Sequence, residues 1–144
     1  MTRALAICLG VLVGSCTVGC AMSPLRQHAT AARMTMVTLE GAGLAISEAS
    51  RLAIERCDGS ASCIDGVEEQ VTRAAAARDA LIPAAHAYRD AVLASDGEEA
   101  PGVVAYLGVV ARRLAEDWPT LAAALSALGL PVPAIAFPTT PEVE

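Results

Sequence analysis

Hydrophobic positions recur at heptad spacing over residues 24–57 and predict one long amphipathic helix. Ser23-Pro24 is typical of a helix start, with the serine as N-cap and the proline at the first helical position. Two rows of the heptad are expected to face the core, and large residues alternate with small ones along them. These rows are Leu25, Ala32, Leu39, Ile46 and Ala53, and Ala29, Met36, Gly43, Ser50 and Cys57.

Two glycines lie inside this predicted helix. Gly41 and Gly43 each cost the helix about 1 kcal/mol relative to alanine. Close approach of a neighbouring helix would explain them, and a functional notch is the alternative.

The stretch CDGSASC, residues 57–63, predicts the corner after this helix. Asp58-Gly59 is a turn signal. Outside the cytoplasm, Cys57 and Cys63 are expected to form a disulfide across the turn. Their C-x5-C spacing differs from the C-x-x-C of redox motifs, so a structural role is favoured.

A second helix is predicted over residues 63–95. Ser62, with Asp65 three residues later, resembles a capping box at its start. Pro83 lies inside and is expected to kink or split the helix, because proline lacks the backbone N–H. The apolar stripe, which Arg78 interrupts, contains Ile64, Val67, Val71, Ala74, Leu81, Ala85, Tyr88 and Val92.

The third predicted helix begins near Pro101 and runs to Leu128. Pro119 is expected to kink it or to start a short fourth helix. Gly129 is typical of a helix C-terminal cap. The clearest apolar stripe of the chain lies here and contains Leu107, Ala111, Leu114, Trp118, Leu121, Leu125 and Leu128.

No segment alternates with a period of two, so the fold class is predicted to be all-α. We expect an up-down-up bundle of three long helices over residues 24–129. The second and third helices are expected to kink or split at Pro83 and Pro119. Residues 130–144 are proline-rich and predict an extended tail. Its apolar residues are expected either to pack in a groove of the bundle or to meet a partner.

The amino terminus has a different character. Arg3 is its only charge before Arg26, and residues 4–22 are uncharged and end in small residues, which is typical of an export signal. Two cysteines there follow small residues, in the stretches VGSC (13–16) and TVGC (17–20). Both resemble the lipobox of bacterial lipoproteins, in which the cysteine is acylated and becomes the first residue of the mature chain.

Cys20 is the favoured lipidation site and Cys16 the alternative. Cleavage before Cys20 would remove Cys8 and Cys16, which leaves only the two corner cysteines to pair with each other. The resemblance therefore implies a signal peptide over residues 1–19 and a lipidated start with a short tether over residues 20–23. It also implies a location in the cell envelope, on the outer membrane facing the periplasm if the organism has two membranes.

The tether constrains the bundle. Three residues separate Cys20 from the first helix and reach roughly 10 Å, so the base of an upright bundle is expected to lie against the membrane. The tail would then leave the third helix at the far end, to reach outward or to fold back.

Charge excludes one class of partner. Removing residues 1–19 leaves nine arginines against sixteen acids, a net charge of −7. An acidic chain is unsuited to nucleic acids.

Candidate chemistry is sparse. His28 and His86 have no acid or second histidine at i+3 or i+4, so neither predicts a helical metal pair. No cofactor motif is present and no enzyme activity is expected. We expect a lipid-anchored structural or protein-interaction module with an envelope partner. A periplasmic bundle that binds a small ligand or a metal near His28 or His86 is the alternative.

Overall fold

The computed structural model describes residues 22–132 and 134–138. Three helices run up, down and up: α1 (Pro24–Arg56), α2 (Ala61–Ala94) and α3 (Pro101–Ala127). This confirms the all-α prediction of a three-helix bundle. The signal peptide, Cys16 and Cys20 lie outside the described residues, as do residues 139–144. Across residues 22–132 and 134–138, none of the helices has the length and apolar character of a membrane span.

The start of α1 and the end of α3 form as predicted. Ser23 Oγ accepts a hydrogen bond from the backbone N–H of Arg26 at 3.4 Å. At the other end, Gly129 adopts a φ of 72°, and the Leu130 N–H donates to the Leu125 carbonyl at 3.0 Å. This six-to-one bond ends α3 and turns the chain back over the bundle.

The same Asp-Gly turn makes both corners. Asp58 and Gly59 have φ angles of 46° and 78°, and Asp96 and Gly97 have 47° and 81°. Asparagine, aspartate and glycine tolerate this left-handed region best. The Asp-Gly pair therefore lets the chain turn back within the short connections between Arg56 and Ala61 and between Ala94 and Pro101.

The predicted capping box at the start of α2 is wrong. The helix begins at Ala61, and Ser60 is its N-cap without a side-chain hydrogen bond. Ser62 therefore lies inside the first turn, and its hydroxyl is 3.4 Å from that of Ser60.

The two internal prolines do not split their helices. Pro83 lies inside a continuous α2 and Pro119 inside a continuous α3. Both are exposed, so a carbonyl that loses its N–H partner at these points lies on the solvent side. Packing of the long flanking segments holds each helix together despite the missing bond.

The core confirms the α3 stripe and corrects one row of α1. Six of the seven predicted α3 residues are buried, and Leu128 is half-buried at its end. On α1 the row that starts at Leu25 is buried as far as Ile46. The second buried row lies one residue earlier than predicted. The hydrophobic pattern missed it because two of its members are polar. Its members are His28, Thr35 and Ala42.

Part of the α1–α2 hairpin lies outside this core. With 27 residues, α3 is shorter than α1 and α2, which have 33 and 34, and the difference is roughly 10 Å of helix. The last buried residue of α1 is Ile46 and the first of α2 is Ala74. Between them only Cys57 is buried. Residues 47–73 therefore form a tip of the hairpin, in which the end of α1 and the beginning of α2 contact mainly each other.

The tail folds back along the bundle instead of reaching outward. Leu130 and Pro131 lie beside Gly41 and Ala42 of α1, and residues 134–138 reach the beginning of α1. The side chains that pack against the core are half-buried: Leu130, Val132, Ile135 and Phe137. The expectation that these residues fill a groove is thus confirmed for the described part of the tail.

The two glycines of α1 differ. A Cβ on Gly43 would lie 3.0 Å from Nε of Arg78, whose guanidinium donates to the Leu39 carbonyl at 2.8 Å. Gly43 therefore leaves room for an arginine of α2 to reach the backbone of α1. A Cβ on Gly41 would meet no atom within 4 Å, so close helix packing does not explain that glycine.

Replacing each glycine by alanine tests this difference. Gly41→Ala is expected to raise the free energy of unfolding by about 1 kcal/mol, because alanine is the better helix former and the space is open. Gly43→Ala is expected to gain little or nothing, since the methyl group displaces Arg78 from Leu39. Urea denaturation of both variants measures the difference, and an equal gain at the two positions would contradict it.

Candidate functional site

A buried polar pair links α1 to α2. Nδ1 of His28 lies 2.6 Å from the Tyr88 hydroxyl, and the two rings meet edge to face. Both side chains are almost fully buried. The heptad pattern alone did not place His28 in the core, although Tyr88 was on the predicted α2 stripe.

Burial determines where the proton of this pair lies. It lowers the pKa of His28 and raises the pKa of Tyr88, so both groups are neutral near pH 7. The Tyr88 hydroxyl has no other hydrogen-bond partner among the described residues. We therefore assign the phenol as donor and Nδ1 of His28 as acceptor, with the ring proton on Nε2. Each group satisfies the other, and the pair positions α1 against α2.

Acid is expected to weaken the fold through His28. In the unfolded chain the histidine pKa is about 6.5, and in the folded protein it is lower. The free energy of unfolding is therefore highest above about pH 6.5 and falls as the pH is lowered, by at most about 1.4 kcal/mol per pH unit. Urea denaturation between pH 7.5 and about 5 measures this, above the range in which most carboxylates titrate.

Matched glutamine variants isolate the effect. His28→Gln is expected to flatten the pH dependence in this window, whereas His86→Gln, at an exposed position of α2, leaves it unchanged. An equal slope in wild type and His28→Gln would assign the dependence to other groups.

An open cleft lies where the tail meets the beginning of α1. Its walls are Met22 and one face of α1 on one side and residues 134–138 on the other, and it encloses about 530 Å³. The tail is held there partly by Phe137, whose ring meets Trp118 edge to face at 5.8 Å. Trp118 is 7% exposed, which confirms its predicted place in the core. The cleft combines thioether, alkyl and aromatic groups with the polar side chains of Gln27 and Thr30.

The remaining predicted residues lie apart. Cys57 and Cys63 form the predicted disulfide at the tip, while His28 is in the core and His86 is on the surface. Within residues 22–132 and 134–138, no three His, Cys, Asp or Glu side chains are grouped so that they could hold a metal ion. The structure thus does not assemble these residues into one centre.

Comparison with known proteins supplies no relative. No protein-family model matches the chain, and neither the curated proteins nor the solved structures contain a match.

Proposed function

We propose that the chain is an exported lipoprotein, acylated on Cys20, that acts in the cell envelope as a structural or protein-interaction module. The lipobox-like stretch of residues 17–20 carries this proposal. The start of α1 at Pro24 supports a short tether. The Cys57–Cys63 disulfide supports an oxidising compartment, since such bonds are rare in the cytosol.

A role in binding is better supported than a role in catalysis. Within residues 22–132 and 134–138, the one buried titratable pair is His28 with Tyr88, which lies inside the core and joins two helices. Large apolar side chains are exposed on the surfaces of all three helices, where they suit contacts with another macromolecule. The alternative, a bundle that binds a small ligand, rests on the cleft at the beginning of α1, whose volume lies in the range of ligand sites.

The intact mass of the full protein, purified from membranes, tests the proposal. We expect a chain that begins at Cys20 and carries acyl groups, which hold it on the bilayer at about 0.8 kcal/mol per buried CH2. Cys20→Ser is expected to abolish acylation and to release the protein from the membrane fraction.

Cys16→Ser is the matched control, and it should leave mass and location unchanged. A mature chain that begins at Cys16 would move the anchor to the alternative site. An unacylated chain, whether cleaved or intact, would overturn the lipoprotein proposal.

A further inference from the structure

The outer face of α1, opposite the core, carries an unpartnered apolar stripe. Met34, Val37 and Leu44 are 44%, 57% and 78% exposed, and Gly41 lies between the last two. Their spacing of three, four and three residues places them on one side of the helix. Neither α2 nor α3 covers this face, and the tail lies along one edge of it.

Charge along α1 is polarised. Its first half, residues 24–39, contains two arginines and no acid, a net charge of +2. Its second half, residues 40–56, has a net charge of −1, from Glu40, Glu48 and Glu55 against Arg51 and Arg56. Arginine near a helix N-terminus is the opposite of what the helix dipole favours. Neither Arg26 nor Arg33 forms an ion pair among the described residues, whereas Arg51 already binds Glu48 and Glu55.

This pattern is complementary to itself in one orientation. Two parallel copies of α1 would bring arginines against arginines and acids against acids. Two antiparallel copies bring the half of each helix with net charge +2 against the half of the other with net charge −1, twice by symmetry.

Gly41 fits the same arrangement. When two apolar stripes are centred on each other in antiparallel orientation, Met34 lies opposite Leu44 and Val37 lies opposite Gly41. The open space at Gly41, where a Cβ would meet nothing, then receives a valine side chain. This explains a glycine for which the packing within one chain gives no reason.

We propose that the outer face of α1 is the interface of a two-fold symmetric dimer, in which two copies of this chain pair their α1 helices antiparallel. The contact is small. About four apolar residues per copy are far fewer than the roughly 20–30 per side of a stable interface. We therefore expect a weak dimer, with a dissociation constant above the micromolar range, and co-localisation on a membrane would offset this weakness.

The dimer also has a consequence for orientation. Its two-fold axis is normal to the plane that contains both α1 helices, and the two N-termini lie at opposite ends. If Cys20 is acylated as proposed, both anchors reach one bilayer only when that plane lies along the membrane. The helices would then lie along the surface and not stand upright on their base. The dimer itself does not depend on acylation.

Sedimentation equilibrium of the full protein in mild detergent tests the interface. We expect a reversible monomer–dimer equilibrium that weakens with added salt, because oppositely charged halves attract. Leu44→Gln is expected to raise the dissociation constant at least roughly tenfold, in line with loss of a buried leucine. The control is Leu93→Gln, since Leu93 is 67% exposed on α2 and lies off the stripe.

Gly41→Ala separates the interface from the fold. It is expected to weaken the dimer while raising the thermal midpoint of the monomer. A dissociation constant that Gly41→Ala leaves unchanged would contradict the proposed register.

A spin label at Ser47→Cys determines the orientation. Ser47 is eight residues from the midpoint at residue 39, so antiparallel labels lie roughly 24 Å apart along the helix axis. In a parallel pair they would lie roughly 10 Å apart. A protein that stays monomeric at the highest soluble concentration, or equal weakening by Leu44→Gln and Leu93→Gln, would overturn the dimer. If the protein stays monomeric and its spin label at position 47 becomes inaccessible to water only when lipid vesicles are added, the outer face of α1 binds the membrane instead.

Discussion

Trp118→Ala is expected to lower the free energy of unfolding by about 3–5 kcal/mol, the usual cost of removing a large buried aromatic side chain. This loss is a large part of the roughly 5–15 kcal/mol that a domain has available. Trp118 lies on the α3 stripe and also contacts Phe137 of the tail, so the variant loses both core packing and an attachment point of the tail. Urea denaturation followed by far-ultraviolet circular dichroism measures the change.

Phe137→Ala is the matched variant, because it removes the partner ring without creating a cavity in the three-helix core. We expect it to cost less, to leave the helical signal intact and to shift the fluorescence of Trp118, the only tryptophan, to longer wavelength. The two variants together should show a coupling of about 0.5–1.5 kcal/mol. Additive costs with no fluorescence shift would show that the tail does not depend on this contact.

Replacing both corner cysteines by serine is expected to open the tip of the α1–α2 hairpin before the rest of the bundle. The chain-entropy model assigns a loop of this length roughly 2–2.5 kcal/mol. Because residues 47–73 contain no other buried residue than Cys57, this stabilisation acts mainly on local opening. Hydrogen exchange at residues 50–70 should accelerate by roughly 30-fold, while the buried stripe of α3 keeps its protection.

Ser62→Ala changes the same corner without touching the disulfide and is expected to have little effect. Uniform acceleration over all three helices in the cysteine variant would mean that the tip and the core unfold as one unit.

The core of α3 was predictable because it consists of large apolar residues at unbroken three-four spacing. The core of α1 was not fully predictable. His28 and Thr35 lie in its second buried row because each finds a hydrogen-bond partner there, Tyr88 for the histidine and the Ala31 carbonyl for the threonine. These hydrogen bonds form only when the chain folds. Hydrophobic periodicity does not contain them, so it predicts that a polar residue lies on the solvent-exposed face of the helix.

Two further differences have the same kind of cause. Proline removes one backbone hydrogen bond. At Pro83 and Pro119 the lost bond lies on the exposed side of the helix, and the segments before and after each proline pack against the core, so both helices stay continuous. The tail residues were identified as apolar from the sequence, but their course depends on the Gly129 turn and on the groove that α1 and α3 leave open. The cleft at the beginning of α1 follows from that course and had no signal of its own.

The returning tail makes completion of the fold depend on residues that are made after all three helices. Residues 134–138 reach the first turns of α1, with Met22 across the cleft from them, so the tail and the helix that it packs along are about a hundred positions apart in the chain. Contacts of such long sequence separation form slowly. Synthesis from the amino terminus produces α1 first, and the groove beside it stays open until the tail arrives. Until then, the apolar surface against which Leu130, Val132, Ile135 and Phe137 pack would be exposed and prone to aggregation.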